Sequence, residues 1–226
     1  MRFFKDGPVF PDELLAARDE GNVLFFCGAG VSRAQANLPD FIGLARNVLR
    51  ELRALPESPA YKLAEAVGRQ EQIAGVGGLL PADRVFGLLE RDFPIRAIEA
   101  AVGAVLKPAE GVDIEAHRIM LDLSTGPDRK ARLVTTNVDL LFEKAKPKLQ
   151  VYTPADLRAL NDIAAIEGIV HLHGMLDQSY AHSVGGDRVL SSGEFGQAYL
   201  ADVWARDFIR TAFEKYTIVF VGYGAD

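Results

Sequence analysis

Four short polar segments carry the residues of this chain that could do chemistry, and each stands directly after a strongly apolar run. Gly28-Ala29-Gly30-Val31-Ser32 follows Val23 to Phe26 and Cys27. Its glycines let the backbone turn sharply and approach a phosphate with no Cβ in the way. N–H groups at a following helix start would face an anion, and Ser32 adds a donor. A plain tight turn would use the same glycines. Counted from Gly28, the third glycine of a dinucleotide fingerprint is missing, because Arg33 occupies its position. Thr135-Thr136-Asn137-Val138-Asp139 follows the second run. Asn137 donates and accepts at once, which suits a ribose hydroxyl, an amide or a water. Asp139 can accept from a hydroxyl. Taken alone it is better read as the N-cap of a helix Leu140 to Lys146.

His173-Gly174 follows Ile169 to Leu172, and Gly222-Tyr223-Gly224 follows Thr217 to Val221. His171 and His173 alternate, so both face one side if the strand runs through them. An H-x-H pair is also part of a metal site, but no third ligand with matching spacing accompanies it, and no metal is expected. A lone His173 reads as a structural histidine. Gly174 points the other way, since it opens space beside the imidazole.

The elements that must position these segments alternate. Helices are expected over Pro11 to Glu20, Asp40 to Leu55, Leu140 to Lys146, Pro154 to Ile166 and Gly193 to Tyr216. Strands are expected over Asn22 to Cys27, Ala131 to Thr135, Leu149 to Tyr152, Ile169 to Leu172 and Thr217 to Val221. Phe41, Leu44, Ala45, Val48, Leu49, Leu52 and Leu55 follow the three-and-four spacing of a helix. Ser191 and Glu194 fit a capping box. About residues 58–128 read as an inserted helical subdomain, with Pro81 and Pro94 at first-turn positions and Gly75 to Pro81 as a connection. The fold class is therefore α/β, a Rossmann-like, mostly parallel sheet with an inserted helical subdomain. In such sheets ligands bind beyond the carboxyl ends of the strands, which is where all four segments stand.

Composition narrows the function classes. The chain has 226 residues, 49% hydrophobic, with net charge −6 and a pI of about 5.3. Nothing suggests a basic, domain-wide nucleic-acid surface. The single cysteine, Cys27, excludes an internal disulfide and a cysteine-rich zinc site. No run approaches the roughly 20 apolar residues that span a bilayer, and the N-terminus lacks a signal-peptide core. A cytoplasmic, membrane-free setting is expected. The chain stops just after a central-looking strand without a covering helix, so residues 1–226 are expected to be the N-terminal part of a longer protein.

At these residues the sequence resembles the sirtuin (silent information regulator) family. Gly28-Ala29-Gly30-Val31-Ser32 matches its G-A-G-x-S and Pro39-Asp40-Phe41 its P-D-F. Thr135-Thr136-Asn137-Val138-Asp139 matches T-x-N-x-D, His173-Gly174 the catalytic H-G, and Gly222-Tyr223-Gly224 the late glycine loop. The zinc-binding cysteines that deacylating relatives carry after H-G are absent, and Ile42 stands where they carry arginine. The helical stretch is similar to that of the bacterial sirtuin-like branch of antiphage defence, whose members hydrolyse NAD and are joined to, or assemble with, sensor partners.

The resemblance implies NAD⁺ as substrate and no zinc. It assigns catalysis to His173, Asn137 and Asp139. His173 would act as general base, Asn137 would hold the ribose or the attacking water, and Asp139 would bind nicotinamide or ribose. Gly28, Ala29, Gly30 and Ser32 would hold the diphosphate, Phe41 would cover the nicotinamide side, and Gly222 and Tyr223 would lie toward adenosine. Asp40 and Thr136 belong to the same binding set. A homo-oligomer, a regulatory partner or a further C-terminal domain is expected to control activity. A protein deacylase and a non-enzymatic NAD or ADP-ribose sensor are the competing readings. A redox dehydrogenase is weaker, lacking both the third glycine and a second strand that ends in an acidic residue.

Overall fold

The computed structural model describes residues 1–2, 5, 7–70, 82–160, 162–184 and 188–223. Gly224 and the connection Gly75 to Pro81 lie outside the described residues. In chain order the elements are α1 (Asp12–Asp19), β1 (Val23–Cys27), α2 (Ala29–Ala36), α3 (Phe41–Glu51), α4 (Pro59–Gln70), α5 (Asp83–Asp92), α6 (Ile95–Leu106) and α7 (Glu115–Leu123). They continue as β2 (Arg132–Thr135), α8 (Leu141–Ala145), β3 (Gln150–Tyr152), α9 (Pro154–Ala159), β4 (Gly168–His171), β5 (Met175–Leu176), β6 (Ser183–Val184), α10 (Ser192–Gly196), α11 (Trp204–Lys215) and β7 (Thr217–Val221).

Five of the strands form one parallel sheet in the order β3-β4-β2-β1-β7. The fold is α/β and Rossmann-like, as the alternation of elements requires. Strand side chains alternate between two packed faces. Val23, Phe25, Cys27, Leu133 and Ile169 meet Met120, Leu121 and Phe142 of α7 and α8. Leu24, Phe26, Val134 and Val170 meet Leu157, Trp204, Ala205 and Phe208 of α9 and α11. Both faces are buried, which is why the central strands read as continuous apolar runs.

A separate cluster unites α3, α4, α5 and α6 through Leu44, Val48, Leu49, Ala64, Phe86, Leu89, Ile98 and Val102. It reaches the sheet edge through Val138, Leu141 and Leu176. The helical unit thus takes in α3, while α7 packs against the sheet.

Some expected elements are shorter or broken. The helix expected to Leu55 ends at Glu51, and Arg53 follows with φ 50°. Pro94 is the N-cap of α6 and stands outside its first turn. The helix expected over Pro154 to Ile166 stops at Ala159. Leu160 turns extended there, and Asp162 starts a separate 3-10 turn by accepting from the Ala164 N–H at 3.0 Å. The helix expected over Gly193 to Tyr216 is three pieces. The Ser191–Glu194 capping box does open α10, a π-helical turn spans Gln197–Ala201, and Val203, with φ 55°, separates that turn from α11.

The first and last sheet loops are interlocked. The Gly30 N–H donates to the Gly222 carbonyl at 2.8 Å. A Cβ on Gly30 would stand 2.7 Å from the Gly222 Cα, and Gly222 itself has φ 74°. Gly30→Ala is expected to force these loops apart and cost about 1–3 kcal/mol of stability. Gly196→Ala, in helical backbone with nothing within 4 Å of the added atom, is expected to stabilise by about 0.5–1 kcal/mol. Urea unfolding midpoints of the two variants check the contrast.

Candidate functional site

The β1–α2 turn, the loop after β2 and helix α7 converge on one oxygen, Ser32 Oγ. Ser32 is buried because it lies on the inner face of α2. Its hydroxyl donates to Asp139 Oδ2 at 2.9 Å and accepts from Asn137 Nδ2 at 3.1 Å. His117 Nε2 lies 3.1 Å from the same oxygen. The serine proton is engaged by Asp139, so His117 must donate, which fixes its Nε2–H tautomer. Its other ring nitrogen, Nδ1, is buried with no partner among the described residues. His117 is fully buried, and desolvation holds its pKa down at about 4 although Glu143 pulls it upward.

Asn137 Nδ2 also donates to the Gly28 carbonyl at 3.2 Å. A carbonyl only accepts, so the amide nitrogen must face it and the side-chain oxygen points away from it. Asp139 is held from both of its oxygens by Ser32 and Leu141. Its Oδ1 accepts from the Leu141 N–H at 3.1 Å, but α8 starts at Leu141 with Leu140 at the N-cap, so Asp139 stands one residue before the cap position expected of it. Burial raises the Asp139 pKa, against the lowering effect of the Leu141 and Ser32 hydrogen bonds.

The two histidines of the H-x-H pair do not face one side. β4 ends at His171, and Gly174, with φ 80°, turns the chain immediately after. His171 bridges the Asn137 carbonyl, 2.8 Å from Nδ1, and Glu143, 2.7 Å from Nε2. Desolvation pulls the His171 pKa down, but the Glu143 charge and these hydrogen bonds outweigh it and leave the pKa raised. His173 turns the other way, with Nε2 2.9 Å from the Tyr199 hydroxyl. Its ring packs edge-on against Phe195 and Tyr199, which stack on each other at 4.2 Å. Burial lowers its pKa to about 4.

Ser32, Asn137, Asp139 and His173 open on a cavity of about 870 Å³ at the carboxyl edge of the sheet, whereas His117 and His171 stand behind its wall. Ala29, Gly30, Ser32, Asp40, Phe41, Thr136, Asn137, Asp139, His173, Gly222 and Tyr223 all line it. Gly28 does not. It lies behind the Tyr223 ring, and its N–H donates to the Val221 carbonyl at 2.8 Å. The Tyr223 hydroxyl is 2.9 Å from Thr136 Oγ1. Asp40 caps α3 by accepting from the Gly43 N–H at 2.8 Å and pairs with Arg33 across the mouth, also at 2.8 Å. Cys27 lies in the sheet core, its thiol pushed up to about 12 by burial, so it is no nucleophile. Among the described residues no group of three or more His, Cys, Asp or Glu side chains is arranged to hold a metal ion. Among them, too, no helix is long and apolar enough to cross a membrane.

Sequence reasoning missed His117, Glu143 and Tyr199. Each sits on a helix where spacing marks only a face, and its partner lies 26 to 85 residues away in the chain.

A family model described as a SIR2-like domain matches residues 131–226. That match covers β2, β4, β7 and the polar segments after them, and supports a place in the sirtuin-like superfamily. SIR2-like domains are commonly NAD-dependent enzymes. The whole chain aligns at 33% identity, over 233 residues, with the uncharacterized protein y4cA of Sinorhizobium fredii. The chain spans 18% of that protein's length.

The buried His117 has a defined pH signature. Its folded pKa lies below the ordinary 6.5. Its contribution to stability is therefore complete above pH 6.5 and is lost as pH falls toward 4, where the unfolded chain takes up the proton more readily. His117→Phe is expected to flatten the acid-side fall in stability across that window by at most about 3 kcal/mol. Thermal melts of variant and wild type between pH 4 and 7 check this; parallel curves would contradict it.

Proposed function

We propose that this domain hydrolyses NAD⁺ at the nicotinamide–ribose bond, releasing nicotinamide, ADP-ribose and a proton. One observation carries the reading: Asn137, Asp139 and His173, from two neighbouring strand ends, meet around a single cavity large enough for a nucleotide. The match to a SIR2-like domain supports NAD⁺ as the substrate.

Nicotinamide leaves NAD⁺ as a neutral molecule, so its departure needs little acid assistance. Positive charge develops on the ribose instead, and the buried Asp139 carboxylate stabilises it. Asn137 Oδ1 accepts from a ribose hydroxyl or from the attacking water. His173 is neutral at pH 7. With the Tyr199 hydroxyl accepting from Nε2–H, Nδ1 is the atom that takes the proton of the water. Phe41 and Phe195 wall the cavity with apolar surface suited to the nicotinamide ring and to excluding bulk water.

The proposal extends to depletion of cytoplasmic NAD⁺ in antiphage defence, restrained by oligomerisation, a partner or a further domain. The likeness of the helical stretch to that branch of the family supports this part. The acyl-transfer alternative is separated by its products, since an added acyl peptide would yield acyl-ADP-ribose.

His173→Ala and Asn137→Ala are each expected to lower NAD⁺ turnover by at least about 100-fold while leaving the circular dichroism spectrum unchanged. Full turnover in either folded variant would remove that residue from the mechanism. The acid limb of kcat/KM is expected near pH 4, where His173 protonates, and not at the ordinary histidine value. Initial rates between pH 4 and 8, with folding checked at each pH, test the second point.

A further inference from the structure

Among the described residues the cavity wall is acidic at Asp40, Asp83 and Asp139 and carries one lysine or arginine, Arg33. A dinucleotide brings two negative phosphates into that space. The usual recipients would be the N–H groups of the glycine turn. Here those of Gly28 and Gly30 are already engaged by the carbonyls of Val221 and Gly222, each at 2.8 Å. Ser32, the other donor of the turn, gives its hydroxyl proton to Asp139. The turn therefore keeps few of the donors that its sequence promised, the Ala29 N–H at the start of α2 among them, and two phosphates in an acidic cavity call for a cation as well.

Arg33 stands on α2 at the cavity mouth, with its side chain 65% exposed and paired to the 47% exposed Asp40. An ion pair this open to water contributes little and exchanges readily for a better acceptor. A diphosphate is a better acceptor, because it offers the planar guanidinium two oxygens in parallel and carries more charge.

We propose that Arg33 is the cation that holds the diphosphate of a dinucleotide or ADP-ribose-type ligand in this cavity, and that Asp40 is the counter-ion it leaves on binding. This assigns Arg33 a function and recasts Asp40, a binding residue by family resemblance, as a competitor of the ligand. The inference rests on the NAD⁺ reading of the cavity, but it concerns binding and is tested without turnover.

The test is calorimetric titration of the folded protein with ADP-ribose, which carries the diphosphate, and with adenosine, which lacks it. Arg33→Gln is expected to weaken ADP-ribose binding about tenfold or more and to leave adenosine binding as in the wild type. Asp40→Asn keeps a capping side chain for α3 and is expected to tighten ADP-ribose binding severalfold. Unchanged ADP-ribose affinity in Arg33→Gln overturns the assignment and leaves the NAD⁺ reading standing. Equal weakening of adenosine and ADP-ribose also overturns it, since Arg33 would then act on something other than phosphate. Weaker ADP-ribose binding in Asp40→Asn overturns the role given to Asp40. A wild-type protein that binds neither ADP-ribose nor NAD⁺ defeats the NAD⁺ reading and this inference together. Arg33-dependent ADP-ribose binding without NAD⁺ turnover would uphold the inference and defeat only the hydrolase reading.

Discussion

One buried oxygen, Ser32 Oγ, carries the architecture of the site. It ties Asn137, Asp139 and His117 together within 3.1 Å. Burying a carboxylate and an amide is costly unless their polar atoms are satisfied, and an unsatisfied partner costs more than the bond itself is worth. The hub therefore works only if the end of β1, the loop after β2 and helix α7 arrive together. Sheet register delivers the first two: Cys27 pairs with Thr135, whose hydroxyl donates to the Cys27 carbonyl at 2.8 Å, and the Thr136 N–H reaches the same carbonyl. The third comes from packing of Met120 and Leu121 on the sheet face.

The other walls follow from that frame. A parallel sheet brings all its strand ends to one edge, so His173 and Tyr223 reach the same space without any shared local sequence. The α3–α6 cluster closes the opposite side, contributing Phe41, Leu44 and Leu106 to the lining. His171, with Glu143, pins the Asn137 backbone from beneath. Asn137 is thus held through both its main chain and its amide nitrogen.

Much of this was legible in the amino-acid order. The apolar run Val23 to Cys27 is a strand buried on both faces, whereas Thr217 to Val221, which looked central in the sequence, is the edge strand of the sheet and only partly buried. The polar residues just after the strands mark the cavity edge for the same topological reason. Long-range chemistry was not legible. His117 lies on a helix whose apolar spacing says only that one face is buried. Nothing local announces that its imidazole meets Ser32. The glycine turn invited a phosphate reading, whereas much of its tightness serves contact with Gly222, 192 residues from Gly30 (222 − 30). The H-x-H alternation failed because the strand ends at His171, two residues before His173, and the chain turns at Gly174. The π-helical turn at Gln197–Ala201 holds the histidine's hydroxyl partner, and no periodicity of the sequence foretells it.

The account turns on whether the cavity breaks the bond between nicotinamide and ribose. The most direct measurement is chromatographic and mass-spectrometric identification of the products formed from NAD⁺ by the purified protein. Nicotinamide and ADP-ribose in equal amounts, with none formed above background by the His173→Ala protein, is the predicted result. NAD⁺ recovered intact by a protein that binds it, or nicotinamide released equally well without His173, would contradict the account.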